Sequence, residues 1–355
     1  MKILILSSQA KNAGSTLRAF YIYKFLKKAG AAVDFISPPF NSMAFMMDFF
    51  LSFFYYFFKI LNRQYKVVII IKPYPNTVIP CMLLKARGAK IIIDIDDMDH
   101  GYRKSIISDI IKFLQTILIP VADMITSHNR ELIKLIIKNF PQYKNKIYFL
   151  KQSVDLSVFR HNLKKDKLLI DKYKGKKILF YMANMNIASY FEDILVALSK
   201  IMSDYILFAV GGGPLLSFYK KVAKKLNLED KVVFLGPCDV KTAAAYLSLA
   251  DLCLVYYKNL PVNKYRASMK IREYLALNKP VIANNVGEIK DFKDYIYMSG
   301  TSLASFTAEI RKRIKYLDKK HKKGYKFIYV NYNWEKEAKK FYKFIKFFLT
   351  CFYKF

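Results

Sequence analysis

The chain has 355 residues, of which 54% are apolar and 16% aromatic, with only 12 Gly and 11 Pro; this excludes a disordered or fibrous protein and suffices for two ordinary α/β domains. Lys and Arg outnumber Asp and Glu by 60 to 27, and the formal charge of +33 attracts polyanions, either nucleic acid or an anionic membrane leaflet. An AT-rich genome that favours Lys, Phe, Tyr and Ile codons is an alternative origin for this composition.

Strands and helices alternate through the first half of the chain. Lys2–Ser7 is a short apolar run typical of a buried parallel strand, and 14–30 has helical spacing that stops at a glycine. Further strands of this half are predicted at 32–36, 66–71, 90–95, 122–127 and 146–151.

The same alternation restarts after a charged stretch at 161–176, which is typical of a linker. Strands of the second half are predicted at 177–182, 205–210, 231–235, 252–255 and 280–283. The order predicts two doubly wound, Rossmann-like domains with parallel sheets that face a central cleft, where ligands sit beyond the carboxyl ends of the strands. We expect domains at 1–160 and 177–333, with a C-terminal helix at 334–355 that crosses back to the first domain.

The most apolar segment is 41–62, interrupted by Asp48 and Lys59. Its uninterrupted part is short for a membrane span and has little polar face, which favours an interfacial helix or an apolar wall of an acceptor site. A buried helix and a spanning helix are the alternatives. The lysines of 334–355 follow helical spacing, which indicates either a basic helix on anionic lipid or ordinary packing on the first domain.

The four cysteines form no CxxC pair, so the sequence has neither a zinc signature nor a disulfide framework, and a reducing cytoplasm fits best. The apolar run at the N-terminus is too short for a signal peptide.

Two glycine-containing loops are candidate binding sites. Gly14 and Ser15 open the first helix, where free N–H groups and the helix dipole can bind an anion, although Ser15 could equally be a plain N-cap. No GxGxxG is present, which argues against an ordinary dinucleotide fold. Gly212, in AVGGGP, would let the backbone approach a phosphate or a ring, and it is equally compatible with a tight turn.

The most specific segment is 268–283, SMKIREYLALNKPVIA. Ser268 could cap a helix on which Lys270 and Glu273 share one face. The Lys could pair with a phosphate, and the Glu could accept two hydroxyl hydrogen bonds from a ribose. The alternative is a surface ion pair that contributes little stability.

This segment resembles the core of glycosyltransferase family 4 (glycosyl transferases group 1), roughly K-x-x-E-Y/A-x-A-x-G-K-P-V-I-A. Further segments resemble the family in the same order, and the resemblance covers nearly the whole chain: 14–33, 148–159, 205–236, 239–254 and 333–344.

The resemblance implies a GT-B fold and a retaining, metal-independent transferase of the hexosyltransferase type, with no cofactor and a nucleotide sugar as donor. The second domain would bind most of the donor. Glu273 matches the family's ribose ligand, Gly14 the glycine near the diphosphate, and Lys270 would be a diphosphate ligand.

Three positions depart from the family pattern. Tyr265 stands where an acidic residue is expected before Glu273, the loop 183–190 lacks the usual Arg and Lys, and Ser153 replaces a glycine. Positive charge for the donor phosphates would then come from Arg266, Lys264 or Lys270.

The acidic run DIDDMDH at 94–100 follows a strand of the first domain. It resembles a metal-binding DxD, but two Rossmann-like domains argue against the single-domain enzymes that use that motif. We expect Asp96, Asp97 or His100 to bind an acceptor hydroxyl or assist its deprotonation; the alternative is helix-capping acids plus an incidental histidine. His128 follows the next strand, and a structural role is predicted for it.

These observations predict sugar transfer from a nucleotide-diphosphate sugar to a hydroxyl of a glycan or lipid-linked acceptor of the cell envelope. The enzyme would be cytoplasmic and peripheral, on the anionic inner face of the cell membrane. An alternative is a catalytically degenerate, membrane-associated partner of another glycosyltransferase, motivated by Tyr265. A nucleic-acid partner is not expected, because no nucleic-acid-binding motif is present.

Overall fold

The computed structural model describes residues 1–9, 14–39, 45–98, 101, 106–163, 171–317 and 320–352. The chain divides into two compact units. The first consists of Met1–Gln152, Tyr265–Ala267 and Trp334–Phe355, and the second of Ser153–Lys264 and Ser268–Asn333.

The strands are, in chain order, β1 (Lys2–Ser7), β2 (Ala32–Ile36), β3 (Val67–Ile71), β4 (Lys90–Asp94), β5 (Met124–Ser127), β6 (Ile147–Phe149), β7 (Lys177–Met182), β8 (Tyr205–Val210), β9 (Val232–Gly236), β10 (Leu252–Val255), β11 (Val281–Asn284) and β12 (Tyr297–Ser299). The α-helices in the described ranges are α1 (Gly14–Lys28), α2 (Phe45–Ile60), α3 (Pro75–Ala86), α4 (Ile106–Leu118), α5 (Arg130–Asn139), α6 (Phe191–Ser199), α7 (Leu216–Lys225), α8 (Val240–Leu249), α9 (Met269–Ala276), α10 (Leu303–Lys315), α11 (Lys320–Asn331) and α12 (Trp334–Phe352).

The first unit is built on a six-stranded sheet in the order β2-β1-β3-β4-β5-β6, with every pair parallel. Its central strand β3 (VVIII) is buried along its whole length, as expected for β-branched residues covered on both faces of a parallel sheet. All carboxyl ends therefore lie at one edge, where Ser7 pairs with Ile71 and Ile71 with Asp94.

The C-terminal helix α12 belongs to the first unit, where it packs on α1. Trp334 is fully buried and stacks on Tyr21 with ring centroids 6.0 Å apart. Phe341 is also buried, and the ring of Phe344 lies 4.5 Å from that of Tyr148. The apolar side of this helix is therefore used in ordinary packing on the first unit.

The second unit is built on a parallel sheet in the order β12-β11-β10-β7-β8-β9. The strands predicted at Lys177–Met182, Tyr205–Val210 and Leu252–Val255 have the predicted bounds. Strand β12 was not predicted, because three residues are too few to show a period.

The apolar segment predicted at 41–62 contains α2, which has one buried and one exposed side. Ser52, Tyr56 and Ile60 are buried at helical spacing, whereas a stripe of apolar side chains on the other side of the helix faces solvent. This exposure excludes the alternative of a fully buried helix. The stripe, which we call the α2 stripe, consists of Met47, Phe50, Leu51, Phe54 and Phe58, each at least 43% exposed. In the part of the chain that the structure describes, no helix has both the length and the apolar character needed to cross a membrane.

A second exposed apolar row, which was not predicted from the sequence, lies on α4. Ile106, Ile110, Phe113 and Ile117 are spaced by three or four residues and are between 49% and 79% exposed. Helix α3 contacts both α2 and α4, so the two exposed rows belong to one layer of helices.

Candidate functional site

At the carboxyl edge of the first sheet, Arg18 of α1 makes a bidentate ion pair with Asp94. The distances are 2.7 Å from Nε to Oδ1 and 2.8 Å from Nη2 to Oδ2, and both side chains are at most 1% exposed. Arg18 also donates to Gln152 Oε1 and the Leu150 carbonyl, while Thr126 donates to Asp94 Oδ2. Asp94, the first acid of the DIDDMDH run, is thus part of a buried structural network.

The next acid, Asp96, lies beside Lys72. The Lys72 Nζ is 3.7 Å from Asp96 Oδ1, and both side chains are less than 10% exposed. Lys72 follows β3 with a φ of 65°, a left-handed conformation that is uncommon for lysine and typical of functional loops. The edge of the first sheet therefore holds a buried carboxylate and an ammonium together.

The remaining predicted acceptor residues have different settings. Asp97 is half-buried, and its Oδ1 accepts from the Met98 N–H at 2.8 Å. His100 lies outside the described residues. His128, for which a structural role was predicted, is buried directly after β5, next to Asn129, which caps α5 by accepting from the Leu132 N–H.

Gly14 and Ser15 begin α1, as predicted. A Cβ built on Gly14 meets no atom of the described residues within 4 Å. The Ser15 hydroxyl is buried and donates to Gln9 Oε1 at 2.7 Å, which ties the loop after β1 to the start of the helix.

In the second unit, helix α9 begins at Ser268, which caps it by accepting from the Ile271 N–H. Glu288, from the turn after β11, accepts from the Ser268 N–H and makes a bidentate pair with Arg272 at 2.7 and 2.8 Å. Arg272 is 2% exposed and packs over the ring of Tyr332 at 4.7 Å. These contacts fix the start of α9 and the direction of its first turn.

Lys270 projects from that first turn over two tyrosine rings. Its Nζ lies 4.5 Å from the Tyr181 ring centroid and 6.0 Å from that of Tyr257. It also donates to Tyr181 Oη at 3.2 Å. The ammonium is therefore positioned by aromatic groups at the ends of β7 and β10.

Glu273 lies one turn further along α9 and is only 5% exposed. Burial raises the pKa of its carboxyl to about 7, while the positive charges of Lys270 and Arg272 act in the opposite direction. A buried carboxyl whose pKa is strongly shifted marks a candidate functional residue, with structural ion pairs as the usual alternative.

The glycines that end β8 make a tight turn against the neighbouring loop. A Cβ on Gly211 would lie 1.8 Å from the Ala183 carbonyl oxygen, and one on Gly213 would lie 2.5 Å from Asn184 Oδ1. The Gly212 carbonyl accepts from the Met185 N–H at 2.8 Å. The turn interpretation is thus confirmed, and donor contact by Gly212 stays a prediction.

Gly211→Ala is expected to destabilise the second unit by about 2 kcal/mol or more, because its φ of 129° and the overlap with Ala183 both oppose a side chain. Gly236→Ala is the matched control, because Gly236 also has a positive φ, 71°, but a Cβ there would meet no atom of the described residues within 4 Å. This substitution should lower the stability of the second unit by about 1 kcal/mol. Hydrogen exchange of peptides from β7 and β8 measures both. Equal losses would show that the close backbone approach does not matter.

The candidate residues fall into two groups. Ser268, Lys270 and Glu273 share α9, with Gly212 in the same unit. Arg266 groups with the first unit, where its carbonyl accepts from Asn129 Nδ2 at 3.2 Å. Tyr265, at the position of the expected acid, packs partly buried against the core of the first unit.

Two residues of these sites were missed. Glu288 could have been noticed only as an acid after a strand end, because its pairing with Arg272 depends on tertiary contact. Lys72 directly follows β3, a position from which the carboxyl edge could have been inferred, but its left-handed φ has no sequence signal.

The two parallel sheets and their helices form the GT-B fold of glycosyltransferases, which confirms the predicted fold class. Sucrose-phosphate synthase from Thermosynechococcus elongatus superposes with a TM-score of 0.80 and 14% identity, over 99% of this chain and 100% of that one. HepE of Anabaena in complex with UDP superposes with a TM-score of 0.71 and 13% identity, over 98% and 100%. At such identities the likeness establishes the fold alone.

Residues 164–296, most of the second unit, match the family described as glycosyl transferases group 1, so the predicted resemblance is confirmed for this segment. A putative teichuronic acid biosynthesis glycosyltransferase of Bacillus subtilis is 26% identical over 190 residues, 53% of this chain and 47% of that protein. The aligned parts cover 30% to 47% of the curated relatives, less than half of their length.

Proposed function

We propose that the protein is a retaining glycosyltransferase that moves a hexosyl group from a nucleoside diphosphate sugar to a hydroxyl of a glycan or lipid-linked acceptor. The observation that carries this proposal is that a buried carboxyl, Glu273, and the ammonium of Lys270 lie three residues apart on the first turns of α9. Both residues lie within the segment that matches the group 1 family.

In the proposed donor complex, Glu273 accepts hydrogen bonds from the ribose hydroxyls. Its burial strengthens such bonds, because the surrounding protein screens them less than water does. Lys270 and the amino end of α9 would bind the diphosphate. UDP bound to the similarly folded HepE supports a nucleotide ligand for this fold.

The reaction breaks the bond between the anomeric carbon and the diphosphate oxygen and forms a bond to the acceptor oxygen, with retained configuration. Charge develops on the departing diphosphate, and stabilising it is the main task of the site. Lys270, held over Tyr181, is the group of the second unit that we assign to this task. A donor contact at Gly14, at the start of α1, stays a prediction from the sequence. Donor contacts from Ser15, Gly212, Arg266 and Ser268 are further proposals.

The acceptor side is assigned to the carboxyl edge of the first sheet. Asp96, held near Lys72, would bind the acceptor hydroxyl or take up its proton, with Asp97 beside it and His100 as a third candidate. The teichuronic acid relative supports a cell-envelope glycan as the acceptor. No metal has a role in this scheme.

We place the enzyme at the anionic inner face of the cell membrane. The α2 stripe and the exposed row on α4 present large apolar side chains on one layer of helices. Together with the formal charge of +33, they support peripheral binding at a bilayer surface.

The test is a mass-spectrometric screen of nucleotide-sugar turnover by the purified protein, with and without membrane extract as acceptor source. Glu273→Gln should lower turnover about 100-fold or more, because a charged acceptor of ribose hydrogen bonds is lost. Glu229→Gln, on an exposed side chain of the same unit, is the control and should leave turnover unchanged.

The degenerate-partner alternative makes a different prediction, favoured by Tyr265 in place of an acid. The wild type would then bind nucleotide, with binding lost in Glu273→Gln, but would turn over no donor. Turnover that survives Glu273→Gln unchanged would contradict the assigned site.

A further inference from the structure

A surface cavity of about 500 Å³ runs along the edge strand β2, between α1 and α2. Its charged lining consists of Lys27 from α1, Lys59 from α2, Arg63 just after α2, and Asp34 from β2. Among the described residues, three cations therefore line the cavity together with one carboxylate. The cavity is large enough for a small polar group, such as a phosphate with its attached alcohol.

The single carboxylate is already engaged on one side of the cavity. Asp34 accepts from Tyr65 Oη at 2.7 Å and pairs with Lys2 at 2.9 Å, in addition to Arg63 at 3.4 Å. Positive charge therefore exceeds negative charge around the cavity, which favours an anionic occupant.

The other two cations lie over aromatic rings that line the cavity. Lys27 Nζ lies 5.7 Å from the Tyr23 ring centroid, and Lys59 Nζ lies 5.7 Å from that of Tyr55. Neither ammonium has a carboxylate within 4 Å among the residues of the described ranges. The aromatic contacts hold them toward the cavity without neutralising them.

The cavity borders the α2 stripe. Tyr55 and Lys59 each follow a stripe residue, Phe54 and Phe58, by one position, so they lie about 100° around the helix from the stripe. When the stripe enters the acyl boundary of a membrane, Lys59, the cationic side chain on this flank, lies at headgroup level with Tyr55 beside it.

The cavity is separate from the candidate acceptor site. It lies on β2, and β1 and β3 stand between β2 and β4, which carries Asp94. Three strand spacings amount to roughly 14 Å. A small headgroup in the cavity therefore does not contact Asp94.

We propose that this cavity binds the phosphate-bearing headgroup of an anionic membrane lipid and so anchors the first unit with the α2 stripe in the bilayer. The proposal adds a lipid site to the peripheral binding of the proposed function, on which it rests. Its occupant is a lipid phosphodiester rather than a free phosphate, because the cavity adjoins the apolar stripe.

The experiment compares binding of the full chain to vesicles of phosphatidylcholine alone and with about a third phosphatidylglycerol, at an ionic strength of about 0.15 M. Lys27→Gln/Lys59→Gln should weaken binding to the anionic vesicles about tenfold or more, since each lysine near the surface contributes several-fold. The matched control, Lys220→Gln/Lys221→Gln, removes the same charge from the second unit, where Lys220 also lies over an aromatic ring, that of Phe234. This control should weaken vesicle binding less than about twofold.

Equal weakening of vesicle binding by the two double variants would overturn the proposal, since generic charge would then explain the binding. Vesicle binding that neither double variant weakens would overturn it as well. Soluble glycerol phosphate is the second arm. If Lys27→Gln/Lys59→Gln abolishes its binding and leaves vesicle binding intact, the site takes a free phosphate and the lipid assignment is wrong. Donor turnover, measured separately without vesicles, should be unchanged in both double variants, which separates failure of this site from failure of the proposed activity.

Discussion

Glu273→Gln is expected to stabilise the second unit while it abolishes donor binding. The carboxyl is buried, and burial raises its pKa from 4.5 to about 7, although Lys270 and Arg272 act against that shift. At pH 8 the folded protein therefore holds a desolvated carboxylate. Removing its charge should raise the free energy of unfolding by about 3 kcal/mol.

The sign of the pH dependence follows from the raised pKa. Below pH 4.5 the carboxyl is protonated in both states, and wild type and variant should be equally stable. As pH rises toward 7, the unfolded chain loses this proton and the folded chain retains it, so the wild type loses stability relative to the variant by about 1.4 kcal/mol per pH unit. Above about pH 7 the difference should level off.

The measurement is hydrogen exchange of peptides from β10 and α9 in wild type and Glu273→Gln between pH 5 and pH 8, after correction for the intrinsic exchange rate. Glu229→Gln, at an exposed site, should show no pH-dependent difference. A Glu273→Gln variant that is less stable than wild type at pH 8 would show that the carboxylate is held by contacts stronger than its burial cost.

Donor binding should follow the opposite trend to stability. In the proposed donor complex, only the ionised carboxylate would accept hydrogen bonds from both ribose hydroxyls. Nucleotide affinity should therefore rise with pH up to about 7 and then become constant. A residue kept for binding can destabilise the free protein, whereas a residue kept for structure should stabilise it.

The parts of the fold that local pattern determines were predicted from the sequence. Runs such as 67–71 and 205–210 are apolar and rich in β-branched or aromatic residues, and their length of five or six residues favours a strand over a helix. The start of α9 was predicted for a similar reason, since Ser268 is a strong N-cap residue.

What the sequence did not reveal depends on contacts between distant segments. Asp94 could be recognised as an acid at the end of a strand, but its use by Arg18 requires knowing that this side chain of α1 reaches the end of β4. Helix α4 exposes the apolar row Ile106, Ile110, Phe113 and Ile117, although a surface helix usually presents polar side chains to solvent. Such exposure becomes visible only once the neighbours are placed.

The pair formed by Arg18 and Asp94 should give the largest single-site losses in the first unit. Arg18→Met or Asp94→Leu leaves an unpaired charge in a site that is at most 1% exposed, and each should cost about 3–5 kcal/mol. The double variant removes both charges together. Its cost should fall below the sum of the single costs by about 2 kcal/mol or more, although Thr126 and Gln152 keep it from being neutral.

Urea unfolding followed by Trp334 fluorescence measures this cycle in the first unit, because Trp334 is the only tryptophan and lies 5.8 Å from the Arg18 guanidinium. Each variant needs its own folded baseline, since the substitution changes the surroundings of the indole. Glu131→Gln, on an exposed pair with Lys134, is the control and should change stability by less than about 1 kcal/mol. If Asp94→Leu leaves stability intact and removes only transfer activity, Asp94 belongs with Asp96 as a reacting group. The buried bidentate pair predicts the reverse, a loss of stability, because the Asp94 carboxylate holds α1, and with it Gly14, against the sheet.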